Sequence, residues 1–292
     1  GLIIGTSKNG VIIQQESGFD STTIKGNPGS KRPILMGSHV TGFAQTNDTT
    51  IWVSTQLKGL FQYNSADRKI KRYNSLNLPK DLYGIACLNG KVWVRSSAGI
   101  YSLQPETGNV KSYREGYQGN KDLIVTKDGR LLVLTENRLL QFDEATDNFK
   151  PVKEFQDLTV LEIGHSDSNT LVAMTAEKGF VRWNGAKVTV THQNPFSTES
   201  LPNLPVIIFE DNHALIWSTI PESGVISVSD SQINSITTRS GLASDVISNI
   251  IKDLDENILI TTDRSLTKIT RAGKMYSITR SDGLINFGFS RS

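Results

Sequence analysis

An all-β chain built from one four-stranded unit repeated along its length is what the 292 residues predict, and three observations carry that prediction. Helical periodicity is scarce, while short runs rich in Val, Ile, Trp, Tyr and Thr recur between Gly, Asn and Asp turns. Each run closes on a hydroxyl residue, at Thr6, Thr55, Ser96, Thr135, Thr175, Thr219 and Thr262, with spacings of 49, 41, 39, 40, 44 and 43 residues. The phrase "TRSGLASDVI" at 238–247 returns as "TRSDGLINFG" at 279–288. Such a period lies in the range of four-stranded propeller blades. A lone four-stranded sheet cannot bury both faces, so the units must stack, and radial stacking leaves only short, protected edges. Seven units therefore predict a seven-bladed β-propeller of four-stranded antiparallel blades, a single domain over residues 1–292. An open β solenoid, with shorter repeats and no hairpin inside each coil, is the alternative.

The strands of each repeat, A to D, follow from its turns. Repeat one, "LIIGTSKNGVI" from Leu2, starts at strand B without an A ahead of it, and "SGFDSTTIKGNPGSKRP" lengthens its spacing as an insertion. Repeat two carries "IWVSTQLKGLFQYN" from Ile51. In repeat three the order is "LYGIACL", the turn Asn89–Gly90, "KVWVRS", "SAG", "IYSL", "PETG" and "NVKSY", which is A, hairpin, B, loop, C, hairpin, D. Repeat four replaces the first turn by Asp128–Gly129, and both turns are expected to place two residues at positive φ. Repeats five, six and seven carry "LVAMTAEKGFVRWN", "LIWSTIPESGVISV" and "ILITTDRSLTKIT". "TRSGLASDV" joins strand D of repeat six to strand A of repeat seven. "TRSDGL" then opens an eighth unit that stops short, so "LINFGFS" (284–290) is expected to supply the missing strand of blade one and close the ring.

Composition narrows the function classes. With 31 basic and 29 acidic residues and no block of like charges, no nucleic acid partner is predicted. No run nears the length of a membrane helix, and "GLIIGTSKNG" lacks the features of a signal peptide, so no membrane contact by this segment is predicted. A start inside a strand implies a piece of a longer protein. The single cysteine, Cys87, rules out an internal disulfide and is expected to be a buried thiol.

Chemical motifs are sparse. His39, His165, His192 and His213 stand in separate loop-like contexts without metal-ligand spacing. "DLDEN" at 253–257 begins like a calcium loop but has Ile258 where glycine is obligatory, so it reads as an A–B hairpin turn. Neither metal nor cofactor is predicted. Glu136, Glu177, Glu222 and Asp263 follow the B strands and could meet for glycosidase chemistry, yet residues on four blades read first as solvated loop charges. Trp52, Trp93 and Trp217 in B strands and Trp183 in a C strand are expected to pack between blades.

Recognition is expected on the loops joining B to C and D to the next A, including "REGYQGNK" (114–121) and "HQNPFSTESLPNLP" (192–205), with Gln56, Lys58, Glu136 and Lys178 nearby. Arg114, Tyr117, Arg138, His192, Phe196, Arg239 and Arg264 combine cationic forks with exposed rings. That set suits an acidic or neutral oligosaccharide.

Repeat seven, "GLASDVISNIIKDLDENILITTDRSLTKIT" (241–270), resembles the two-component regulator propeller repeat, matching at Gly241, Leu242, Ser244, Val246, Ile250, Asp253 and Thr262. It departs from that pattern at Leu259, Thr261 and Ser265, while repeat two keeps Trp52, Thr55, Gly59 and Leu60. The resemblance, one copy per repeat, implies a non-enzymatic periplasmic sensor region of a hybrid two-component system. It also implies neighbouring propeller and sandwich domains of the same chain as partners, and a homodimer of the parent protein. The other classes in view are a structural propeller that docks a protein in an outer-surface or secretion assembly, and a propeller lyase or glycoside-active enzyme.

Overall fold

The computed structural model describes residues 3–6, 10–15, 18–20, 38–67, 69–73, 77–113, 120–136, 138–192, 207–220, 224–230, 232–253 and 255–282. Repeats two to seven each form one four-stranded antiparallel meander, A-B-C-D in chain order. Repeat three runs Gly84–Leu88, Lys91–Ser96, Gly99–Leu103 and Val110–Tyr113. Repeat five runs Val160–Gly164, Leu171–Thr175, Gly179–Trp183 and Val188–His192.

Seven four-stranded blades were expected, and six are found among the described residues. Repeat one is a three-stranded sheet of Ile3–Thr6, Gly10–Gln15 and Gly18–Asp20. Its strands pair in chain order, first to second and second to third, so the described part of this repeat has two strand pairings where the others have three. The strand expected over 284–290 lies outside the described residues. Gly18–Asp20, read as the start of an insertion, is instead the last strand of this sheet.

Burial separates the strands by position. B and C strands such as Leu131–Thr135, Leu171–Thr175, Gly224–Val228 and Ile258–Thr262 are buried at every residue. D strands such as Lys69–Tyr73 and Asn148–Pro151 bury one residue and expose most others. A sheet buried on both faces in its middle strands must be covered on both sides, as stacking requires.

The residues fall into two compact units that divide in the chain at Leu123–Ile124. In the first, Trp52 and Leu60 of repeat two pack with Leu82, Ile85, Val92, Val94, Tyr101 and Leu103 of repeat three. In the second, Leu132, Leu134 and Leu139 of repeat four pack with Val160, Ile163, Leu171, Val181 and Trp183 of repeat five. Two further clusters join repeats five to six and six to seven. Full burial of each such aliphatic side chain contributes about 1.5–3 kcal/mol. All four tryptophans are buried, as inter-blade packing demands.

In five repeats the hydroxyl that ends strand B has a structural task. Thr55 Oγ1 donates to the Gly59 carbonyl at 2.7 Å, and Ser96, Thr135, Thr175 and Thr262 make the same bond to Gly99, Arg138, Gly179 and Ser265. These hydroxyls close the B–C turn at a buried position, where an unpaired polar group would be costly.

Turn chemistry follows the sequence with one exception. Asn89 and Gly90 both take positive φ (49° and 73°), but in Asp128–Gly129 only the glycine does. Thr126 Oγ1 donates to Asp128 Oδ1, and Thr126 N–H donates to the Arg130 carbonyl at 2.9 Å, making a longer turn that needs one left-handed residue. The 253–257 segment forms the expected turn: Asp253 N–H donates to the Asn257 carbonyl at 2.9 Å, and Asp253 Oδ1 accepts from Asp255 and Asn257 N–H. Cys87 is partly exposed rather than fully buried, although burial still pushes its thiol up to about 12.

Candidate functional site

Of the residues expected to bind ligand, Arg114, Tyr117 and Phe196 lie outside the described residues. The remaining four stand on four different repeats. Arg138 opens strand C of repeat four, His192 ends strand D of repeat five, Arg239 sits in the short 3-10 turn Thr238–Ser240, and Arg264 lies in the B–C turn of repeat seven. Arg138, Arg239 and Arg264 are exposed, and Arg264 Nε lies 3.7 Å from Asp263. The turn that presents Arg239 is held by Thr237 Oγ1, which accepts from Arg239 N–H at 3.2 Å, and by Asp245, which accepts from Thr238 N–H and Oγ1.

The carboxylates considered for catalysis have other roles. Glu177 accepts from Thr159 N–H at 2.9 Å. Burial opposes its ionisation, but the Thr159 bonds outweigh it and hold the carboxyl below its ordinary value. That is the wrong direction for a general acid at neutral pH. Glu136 is exposed, Asp263 faces Arg264, and Glu222 lies outside the described residues. No catalytic centre is evident among the described residues. Among them, too, no group of three or more His, Cys, Asp or Glu side chains could hold a metal ion.

The densest polar arrangement lies elsewhere, on the A–B turns of repeats four to seven. Glu210, at the end of strand A in repeat six, is 3 % exposed, and its Oε1 accepts from Arg182 Nε of repeat five. Ser166 Oγ donates to Glu210 Oε2 at 2.5 Å, with Ser168 and Thr170 hydroxyls at 3.4 and 3.3 Å. Arg182 also donates to the Ala214 carbonyl at 2.8 Å and to Asp230 at 3.2 Å. A buried carboxylate is tolerated only when paired and fully hydrogen-bonded. Nearly sealed from solvent and bonded at both oxygens, this carboxylate is held by its neighbours, so the group builds structure.

The backbone comes equally close. Strand A of repeat five and strand A of repeat six meet through a parallel bridge at Ser166 and Glu210, with Glu210 N–H donating to the His165 carbonyl at 2.8 Å. Gly164 permits the approach, because a Cβ there would stand 1.8 Å from the Ile208 carbonyl oxygen. Next to this bridge, Asp167 accepts from Lys127 Nζ of repeat four at 3.3 Å and from Lys252 Nζ of repeat seven. Its carboxyl is held below the ordinary value: burial opposes ionisation, and the bonds from Lys252 and Lys127 outweigh it. On repeats six and seven, His213 Nε2 and Arg271 approach Glu256 at 3.6 and 3.2 Å, and Trp217 Nε1 donates to the buried Asp211 at 2.8 Å. Sequence reading did not single out Asp167, Arg182, Glu210 or Lys252. Their partners are 28 to 85 residues away, and only the unusual run "HSDSNT" hinted at a polar turn.

Comparison with known proteins places the fold. No family model and no curated protein matches the chain. Among solved structures, it is similar to virginiamycin B lyase from Staphylococcus aureus, with a TM-score of 0.64 and 14 % identity over 82 % of this chain and 84 % of that one. It is similar to the extracellular domain of the hybrid two-component system BT3049 from B. thetaiotaomicron, with a TM-score of 0.58 and 16 % identity over 94 % of this chain and 44 % of that one. A third is PorZ, a surface component of the type-IX secretion system of Porphyromonas gingivalis, with a TM-score of 0.61 and 15 % identity over 92 % of this chain and 42 % of that one. The chain therefore spans less than half the length of the two-component and secretion proteins it resembles. Its fold is a β-propeller, similar to those of extracellular two-component sensor domains and equally to those of a lyase and a secretion component.

Proposed function

We propose that this chain is a non-enzymatic, periplasmic ligand-binding propeller of a hybrid two-component signalling protein, responding to an oligosaccharide. One observation carries the reading: the fold matches the extracellular domain of such a system over 94 % of this chain. The repeat phrase at 241–253 supports it from the sequence. A sensor needs only different affinity for its ligand in two arrangements of the parent protein, so binding without turnover suffices. The ligand would lie against the B–C and D–A loops, with Arg114, Arg138, Arg239, Arg264 and His192 as donors and Tyr117 and Phe196 as stacking rings. Titration of the chain against an array of acidic and neutral oligosaccharides tests this. The expected result is saturable binding that Arg138→Ala and Arg264→Ala weaken together without lowering the melting temperature. Absence of binding across the array would remove direct sensing.

A second reading has its own support in the likeness to PorZ: a propeller that docks another protein in an outer-surface assembly. It predicts capture of a defined protein partner by cross-linking and no glycan binding.

A further inference from the structure

Asp167, on repeat five, makes polar contact with the other three repeats of the second compact unit. It stands on the A–B turn of repeat five. Lys127 Nζ, from the A–B turn of repeat four, donates to the Asp167 carbonyl at 2.6 Å and to Oδ1 at 3.3 Å. Asp167 N–H donates to the Glu210 carbonyl of repeat six at 3.1 Å. Oδ2 accepts from Lys252 at the end of strand A in repeat seven.

The apolar clusters of this unit each join two consecutive repeats, whereas the Asp167–Lys252 pair passes over repeat six to reach repeat seven. The bridge is also partly open to solvent: the Asp167 side chain is 26 % exposed, that of Lys127 52 % and that of Lys252 19 %. In this it differs from the Arg182–Glu210 pair, whose carboxylate is sealed. Two ammonium groups on one accessible carboxylate are held largely by Coulomb attraction, which shrinks from a reach of about 8 Å at physiological ionic strength to about 3 Å at 1 M salt. Burial of apolar side chains is not weakened in that way.

We propose that Asp167 is a releasable latch that makes the A–B ends of all four repeats move as one body, and that ionic screening opens it while the sheets stay folded. Hydrogen exchange of the full chain at about 0.15 M and 1 M sodium chloride tests it. The expected result is a concerted rise of about threefold or more at 126–130, 165–170, 208–215 and 250–253, with the B and C strands unchanged. Asp167→Asn should give the same pattern at low salt, and the exposed Asp263→Asn should not. A rise confined to 165–170, a uniform rise over all strands, or no rise would each overturn the latch. Should Asp167→Asn not fold, Lys252→Met supplies the same readout, with 165–170 and 250–253 expected to respond together.

Discussion

Replacing Gly164 by alanine tests how strand A of repeat five is fitted to strand A of repeat six. The new Cβ would stand 1.8 Å from the Ile208 carbonyl oxygen, 2.5 Å from its carbon and 2.9 Å from Ile208 Cγ2. Two of these three atoms are backbone, so no rotamer change relieves the clash and the two strands must part by more than an ångström. Parting them strains the neighbouring bonds from Glu210 N–H to the His165 carbonyl and from Asp167 N–H to the Glu210 carbonyl, at 2.8 and 3.1 Å. Overpacking costs about 1–3 kcal/mol, and each weakened bond about 0.5–1.5 kcal/mol. Alanine returns about 0.4–1 kcal/mol by restricting the unfolded chain. The net loss is about 1–6 kcal/mol, measured by urea unfolding of the full chain. Gly273→Ala is the matched control: Gly273 has φ of 77° and no neighbour within 4 Å of the added Cβ, so only backbone strain of about 1–2 kcal/mol applies. If Gly164→Ala loses no more than Gly273→Ala, the steric argument is wrong.

Two further expectations rest on side chains. Asp253 is partly buried, which opposes ionisation, but bonds from Asn257 and the nearby Lys268 outweigh this and lower its carboxyl. A carboxyl lower in the folded state stabilises above its unfolded value of about 4 and loses that contribution as pH falls through its folded value. Asp253→Asn should thus be less stable than the parent at neutral pH, with the gap closing in acid; a gap constant over pH would contradict the assignment. Trp217→Phe removes the donor to the buried Asp211 while keeping most of the apolar volume. A loss of about 1–3 kcal/mol in chemical unfolding is expected, and a neutral result would mean Asp211 is satisfied by its turn alone.

The elements that sequence reading recovered are those set within a single repeat. Strands B and C of repeats two to seven were legible because their apolar runs end on a hydroxyl that the B–C turn requires, as at Thr55 and Thr175. The Asn89–Gly90 hairpin was legible because its two residues suffice to fix the turn. Repeat one shows the limit: Gly18–Asp20, read as the start of an insertion, pairs instead as a strand of its sheet. The Asp128–Gly129 turn was misjudged because Thr126, two residues earlier, decides its length. The ionic cluster was invisible for a related reason. Glu210, Arg182, Asp167 and Lys252 are ordinary surface residues until folding brings separate repeats together, and no spacing rule connects positions 85 residues apart.

The hydroxyl that ends strand B implies how freely such a chain can evolve. Each repeat of about 43 residues needs one small donor at that point, two alternating apolar strands beside it, and turns that admit left-handed backbone. Because contacts run mainly between neighbouring repeats, a change in one repeat is felt chiefly by the repeats beside it. Propellers at 14–16 % identity accordingly keep the same fold. Within this chain, superposing the repeats on Thr55, Ser96, Thr135, Thr175, Thr219 and Thr262 sets equivalent strands side by side.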